Sequence, residues 1–299
     1  MRKRRNGHGL TRRDLLAGTV YATMATVLGG ETTAGEKTKS DVRSRVVLVR
    51  HPDALDKDHK PNHEVIQDMV DRGVKTLLGI DDTVEAWRQI VRPDDVVGIK
   101  TNVWMYMPTP KAVENAIWRR MVELGVSEDR IRLDDRGVRQ SLADCTALIN
   151  TRPLRTHHWS GIGGCLKNYI MFVKSPWHYH SNACADLGKI WTLPIVRDKT
   201  RLNILVVLRP LFHGRGPHHY NPKYVWDYKG LLVSSDPVAC DAVGVALLSA
   251  KRGDHFGEDT PFPKRTHHVT FAEVKYHVGV ADPNRIDLIK AGWTEGALI

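Results

Sequence analysis

Residues 202–208, Leu-Asn-Ile-Leu-Val-Val-Leu, are the most convincing strand in the chain: a nearly unbroken apolar run of strand length. Runs of this kind belong to sheets covered on both faces. Working outward, similar runs alternate with segments of helical spacing. Residues 45–50 (RVVLVR) read as a first buried strand, and residues 62–78 carry one apolar stripe, Val65, Ile66, Met69, Val70, Val74 and Leu77. Asp82 is an N-cap for a helix through Val84, Trp87, Ile90 and Val91 that stops at Pro93. Residues 95–100 (DVVGIK) form the next strand. A helix follows from Pro110 with Val113, Ile117, Met121 and Leu124 on one face, ending at Gly125. Strands are expected at 130–133, 231–233 and 285–289, with a short apolar run at 146–149. Further helices are expected at 165–173, 182–191, from Asp236-Pro237 onward, and at 270–278. This order predicts an α/β fold, a mainly parallel sheet with helices on both faces, in a single large domain over residues 45–299.

The chain has 299 residues and a formal net charge of +10, but six basic and two acidic side chains fall in residues 1–34. The mildly basic remainder has no long basic run interleaved with aromatics. Nucleic acid is therefore excluded as the expected partner, and a small anionic ligand suits the balance. Residues 1–34 carry Thr11-Arg12-Arg13-Asp14-Leu15-Leu16, then a weakly apolar run and a small-residue stretch. They resemble a twin-arginine signal peptide, which implies the twin-arginine export machinery as a partner and a periplasmic or otherwise exported location. The apolar run is too short and too rich in threonine for a stable membrane span. Residues 35–44 read as a linker. Cys145, Cys165, Cys184 and Cys240 include no C-x-x-C pair, so no cysteine-ligated iron–sulfur cluster is expected. Buried free thiols and disulfides both remain open.

The chemistry concentrates in residues 151–180, TRPLRTHHWSGIGGCLKNYIMFVKSPWHYH. Gly161, Gly163 and Gly164 can bring backbone N–H groups together ahead of a helix start, a geometry that favours an anion. Lys167, in the first turn, is unfavourable against the helix dipole unless it answers a negative ligand or a buried carboxylate. Asn168 follows it. Lys100 and Asn102 lie at the carboxyl end of a strand, where ligands of parallel sheets bind, and Arg155 adds charge. Asp134-Asp135 also fall at such an edge, where a solvated turn with Gly137 explains them. Asp236 before Pro237 starts a helix in which Asp241 shares a face with Val238, Val245 and Leu248, so this carboxylate needs a partner. His157 or His158 can serve as general acid or base.

Eleven of the fifteen histidines lie from His157 onward. His178 and His180 project together if extended, and His213 or His157 would complete an imidazole site for a transition metal.

Four segments resemble the domain of unknown function 362 family. They are Ile99-Lys100-Thr101-Asn102; Arg155-Thr156-His157-His158 through Leu166-Lys167-Asn168; residues 205–216; and Asp236-Pro237-Val238-Ala239-Cys240-Asp241-Ala242-Val243-Gly244. Arg155 stands where the family pattern has lysine. The resemblance spans nearly all of residues 45–299 and implies an association with redox chemistry and a redox partner, with the general activity of the family unsettled.

Two functions follow as expectations. In the first, an exported enzyme binds a phosphorylated or other anionic organic ligand or cofactor at the Gly/Lys/His site, with His157, His158, Lys167 and Asp241 in the chemistry. Lys100, Asn102, Arg155, the glycines, Asn168 and Asp236 hold the ligand. In the alternative, a periplasmic protein binds a metal through His178, His180 and His213 without turnover. A third reading makes Trp159, Trp177, Trp191 and Trp226 anchors for a protein partner.

Overall fold

The computed structural model describes residues 42–214, 220–257 and 266–299. From β1 (Ser44–Arg50) the chain enters α1 (His63–Leu78) and α2 (Thr83–Ile90), then β2 (Val97–Lys100), α3 (Lys111–Glu123) and β3 (Ile131–Asp134). A short α4 (Val138–Ser141) leads to β4 (Ala147–His157), β5 (Gly161–Gly163) and the single turn α5 (Cys165–Asn168). After α6 (Leu187–Ile190) come β6 (Thr200–Leu211), β7 (Gly230–Ser234), α7 (Pro237–Phe256), α8 (His267–Val274) and β8 (Ile286–Gly292). Asn62, Asp82 and Asp236 cap their helices as side-chain acceptors, with Asp82 taking the Glu85 N–H at 2.8 Å.

The eight strands form one mixed sheet in the order β3-β2-β4-β6-β7-β1-β8, with β5 paired to β4 off that path. The pairs β3/β2, β2/β4, β4/β6 and β1/β8 are parallel. β7 is antiparallel to β6 and β1, and β5 to β4. The sheet is mostly parallel, as expected, with β7 the exception inside it. Between β6 and β7 the described chain makes only a 3-10 turn at Pro222–Tyr224, and an antiparallel neighbour needs no helical crossover.

Alternate strand residues serve opposite faces. Val47, Val49, Ile99, Ile149, Ile204 and Val206 pack under α1, α2 and α3 through Ile66, Val70, Trp87, Val113 and Ile117. On the other face Leu48, Leu154, Leu205 and Leu232 meet Cys240 and Leu247, while Leu148 meets Leu166, Tyr169, Trp191 and Val269. Residues Arg43–Ile299 form one compact unit. Among the described residues no helix is long and apolar enough to cross a membrane.

Several element boundaries differ from expectation for identifiable reasons. The run at 146–149 is only the start of an 11-residue strand, β4, whose remaining residues are mostly polar yet buried. Pro153 lies in this central strand at a register shift between Pro153 and Arg155, where the missing N–H is tolerated. β6 likewise continues through Arg209-Pro210-Leu211, which read as loop. The helix expected at 165–173 is α only to Asn168 and 3-10 over Tyr169–Phe172. At 182–191 the helix is confined to α6, because Asn182, Ala183 and Cys184 all take positive φ. The helix expected at 270–278 instead begins at His267 and ends at Val274. All four cysteines are buried free thiols.

Trp87 is wholly buried and donates from Nε1 to Asp71 at 2.8 Å. Trp87→Ala should cost about 3–5 kcal/mol and lower the urea midpoint accordingly. An unchanged midpoint would contradict this packing.

Candidate functional site

The site is built on the carboxyl ends of β2, β3 and β4. In register, Lys100 of β2 sits between Asp134 of β3 and Asn150 of β4, and Asn150 is aligned with Asn203 of β6. An amide ladder ties these strands together. Asn150 Nδ2 donates to Asn203 Oδ1 at 2.9 Å and to the Cys165 carbonyl at 3.2 Å. Asn168 Nδ2 donates to Asn150 Oδ1 at 2.8 Å and to the carbonyls of Thr151 at 3.2 Å and Lys100 at 3.3 Å. Asn168 thereby fastens α5 to the end of β2 and to the first half of β4. Asn102 accepts from Arg155 Nη1 at 3.1 Å.

Lys100 is fully buried, and Nζ donates to Asp135 Oδ1 at 2.5 Å, the Thr101 carbonyl at 2.7 Å and Asn168 Oδ1 at 3.3 Å. Burial pushes its pKa down to about 8 although Asp135 opposes the shift. Burial also works against ionisation of Asp135, but the Lys100 charge and the Val103 N–H outweigh it and hold this carboxyl below its usual range. The Asp134-Asp135 pair is therefore not a solvated turn. Asp134 closes the turn by accepting from the N–H groups of Arg136 and Gly137, and Asp135 is the buried counter-ion of Lys100. The alignment of Lys100 with Asp134 was the signal available for this pairing, and it needed the strand register.

The glycines act through close approach. Gly161 has φ +75° at the end of the β4–β5 hairpin. A Cβ on Gly163 would lie 2.7 Å from Arg152 Nη2, and one on Gly164 would lie 2.1 Å from Asp241 Oδ1. Asp241 is wholly buried and accepts the N–H groups of Cys165 at 2.5 Å and Leu166 at 3.0 Å. The anion expected at this helix start is thus the protein's own carboxylate. Burial pushes Asp241 up to about 7, against the pull of the two N–H groups and of Arg152. Asp241 braces α5 rather than orienting a lysine or histidine directly. Asp236 is also committed to the scaffold: it accepts from Val238 and Ala239 as a cap, and from Ser44 Oγ and the Val280 N–H.

Three further cations are buried around this turn: Arg152, Arg155 and Lys167. Arg152, overlooked in the sequence because its strand was not recognised, donates from Nη1 to the Gly164 carbonyl at 3.3 Å. The Arg155 guanidinium lies 4.1 Å over the Trp104 ring. The Nε atoms of Arg152 and Arg155 are buried without a partner among the described residues, as are the Thr151 and Thr156 hydroxyls. Among the described residues the hydrogen-bond contact of Lys167 Nζ is Cys184 Sγ alone, at 3.8 Å. Among the described residues none of these three cations has a carboxylate within 4.0 Å. Burial pushes Lys167 down to about 8; Cys184 opposes the shift, and the charges of Arg152 and Arg155 add to it. Arginine does not give up its proton, so the depression of Arg155 by burial and by Arg152 is an energetic cost that the fold carries. Arg50 provides the contrast: its Nε and Nη1 donate to the carbonyls of Tyr228 and Glu295, and its guanidinium is held between the Tyr228 and Trp293 rings.

His157 is buried, and burial followed by the charges of Lys167, Arg155 and Arg152 holds its pKa far below the ordinary value. Its Nδ1 accepts the Trp159 N–H at 3.2 Å, which leaves a neutral ring with its proton on Nε2. His158 stacks on His157 at 4.9 Å and adjoins Trp159, whose ring lies 4.2 Å from His180. Burial and the Lys167 charge push His180 down to about 4. The sequence did not single out His268, which is wholly buried with neither ring nitrogen partnered among the described residues. Burial, then Lys167, push it down to about 3.

His178 and His180 lie in a 3-10 turn, Pro176–His180, not in an extended segment, so the alternation that would have paired them does not operate. His213 hydrogen-bonds Arg252 and packs on Tyr224 and Phe256. No group of three or more His, Cys, Asp or Glu side chains is gathered to hold a metal among the described residues. His218 and His219 lie outside them. Of the four tryptophans read as anchors, Trp191 is buried and Trp226 half-buried, whereas Trp159 and Trp177 are 42% and 70% exposed.

The model of a family described as "Domain of unknown function (DUF362)" matches residues 125–246. The match covers Asp135, Arg152, Arg155, His157, the glycines, Lys167, Asn168 and Asp241, and it leaves Lys100, Asn102 and His268 outside. It is narrower than the resemblance drawn from the four segments. No curated protein and no solved structure matches the chain.

Two outcomes are expected. Gly164→Ala forces a Cβ into the Asp241 carboxylate and should destabilise the fold by about 2–4 kcal/mol in urea unfolding. The folded Lys167 releases its proton near pH 8, whereas the unfolded chain keeps it to about 10.5. The unfolded state therefore binds the extra proton within that window, and Lys167 favours folding increasingly as pH rises from about 8 to 10.5. The stability of the wild type relative to Lys167→Met should rise across this range; a flat difference would contradict the assignment.

Proposed function

We propose that this chain binds a small anionic organic ligand, as substrate or cofactor, at the carboxyl edge of the sheet, in the exported compartment to which its twin-arginine-like stretch points. The observation that carries the reading is the imbalance of buried charge. Lys100, Arg152, Arg155 and Lys167 are all buried; among the described residues the buried carboxylates that answer them are Asp135 and Asp241, with the half-buried Asp134 acting on Lys100. Glu114, the next buried carboxylate, is already engaged by Thr101 and Lys111.

Burying a cation without a counter-charge costs several kcal/mol even after relaxation. A carboxylate or phosphate on Arg152, Arg155 and Lys167 would offset that cost with charge-assisted hydrogen bonds. The two unpartnered guanidinium Nε atoms supply donors not yet used. Neutral His157 would add an Nε2–H donor. It would not act as an imidazolium acid near neutral pH, because burial, and then three nearby cations, disfavour its charged form. Lys100 and Asn168 would act indirectly, by holding the strand ends and α5 in place. The family match supports the reading only in that the arginines, Lys167 and Asp241 all fall within residues 125–246.

Titration with inorganic phosphate and with lactate, followed by thermal unfolding, tests the reading. At least one anion should raise Tm in a saturable manner. Arg155→Met should weaken its binding by roughly 10- to 100-fold, the loss of about 1.5–3 kcal/mol associated with a charged hydrogen bond. Unchanged Tm with both anions, or equal affinity in Arg155→Met, would overturn it.

A further inference from the structure

The site holds two buried lysines that differ in how well they are satisfied. Lys100 directs its three N–H donors to three oxygens. Among the described residues Lys167 has no oxygen acceptor: its one hydrogen-bond contact is the Cys184 thiol at 3.8 Å. Lys100 is sealed, whereas Lys167 retains 5% exposure. Lys167 is held on α5, whose position Asp241 and Asn168 fix from both ends. The segment carrying Cys184 has three consecutive non-glycine residues at positive φ, 45°, 54° and 62°. Such strain persists where the surroundings over-determine it, and here it presents the thiol to the amine.

Around the amine the charges are positive and the imidazoles neutral. Arg152 and Arg155 both act on Lys167, and Lys167 in turn acts on His157 and on His268, a wholly buried ring with neither nitrogen partnered among the described residues. A desolvated amine beside fixed cations and without a carboxylate is set up as a nucleophile, while one saturated by oxygens, such as Lys100, is a structural charge.

The geometry points to Lys167 as the amine that condenses with the carbonyl carbon of a small 2-oxo carboxylate, whose carboxylate group rests on Arg152 and Arg155. This inference depends on the anion-binding reading above and adds a reaction to it. The neutral Nζ attacks the carbonyl carbon, forming the C–N bond of a carbinolamine. The carbonyl oxygen then leaves as water with the two protons of the amine, and a C=N bond remains. No oxidant or reductant is consumed. The imine retains the carboxylate that the two arginines hold.

The test uses the full chain with pyruvate, and separately with phenylpyruvate, in the presence of sodium borohydride. Borohydride delivers hydride to the imine carbon and fixes the adduct as a secondary amine, which peptide mass mapping then locates. The expected result is one reduced adduct per chain on the Lys167 peptide with at least one of the two acids. Its rate of appearance should rise through pH 8, where this amine loses its proton. Lactate, which has the carboxylate without the carbonyl, should give no adduct. Lys167→Arg should abolish the adduct. Labelling of other lysines with Lys167 unmodified, or no adduct from either acid, overturns the proposal. If lactate still raises Tm in that case, the anion site stands and only the carbonyl step fails. If neither lactate nor phosphate raises Tm, the anion site fails with it.

Discussion

The Asp241 carboxylate bonded to the N–H groups of Cys165 and Leu166 is the contact on which the site depends. It joins the second turn of α7 to the start of α5 across a space that a single Cβ at Gly164 would occupy. A one-turn helix has no cooperative stability of its own, so its position must come from partners. Asp241 fixes its start and Asn168 its end, and between them Lys167 is carried into the interior. Lose the carboxylate and Lys167, Asn168 and the strands that Asn168 joins lose their common reference.

Sequence reading recovered the parts governed by local rules. The caps at Asp82 and Asp236 stand where their side chains placed them, and the apolar runs became strands of a mostly parallel sheet. It also located the stretch around the glycine turn, the lysines and Asn168. What it could not see depends on register and burial. The polar half of β4 has no apolar period, because its side chains are buried against one another and against the amide ladder, so Arg152 went unnoticed. Asp135 looked like a surface acid until β2 and β3 were aligned. His268 sits on a helix with no apolar stripe to mark it and is brought to Lys167 only by tertiary packing. The His178/His180 pairing failed for a conformational reason, since a strand alternation was read onto what is a 3-10 turn.

The charge arrangement sets stability against function. Apolar side chains at Arg152, Arg155 and Lys167 would relieve the desolvation these cations bear, as replacement of buried ions by well-packed apolar groups does elsewhere. The fold instead carries them on β4, a strand held by neighbours on both sides, and on α5, a turn held at both ends. Rigid surroundings keep the like charges from moving apart, and pre-organisation of that kind lowers the cost of ordering when a ligand arrives.

The four buried free thiols bear on when the molecule can become whole. Each is packed as a small apolar side chain, and no cross-link is needed to close the sheet or the two helical layers. Assembly of the core is therefore indifferent to the redox poise of its surroundings. A chain of this design can complete its fold in a reducing compartment and carry it unchanged into an oxidising one.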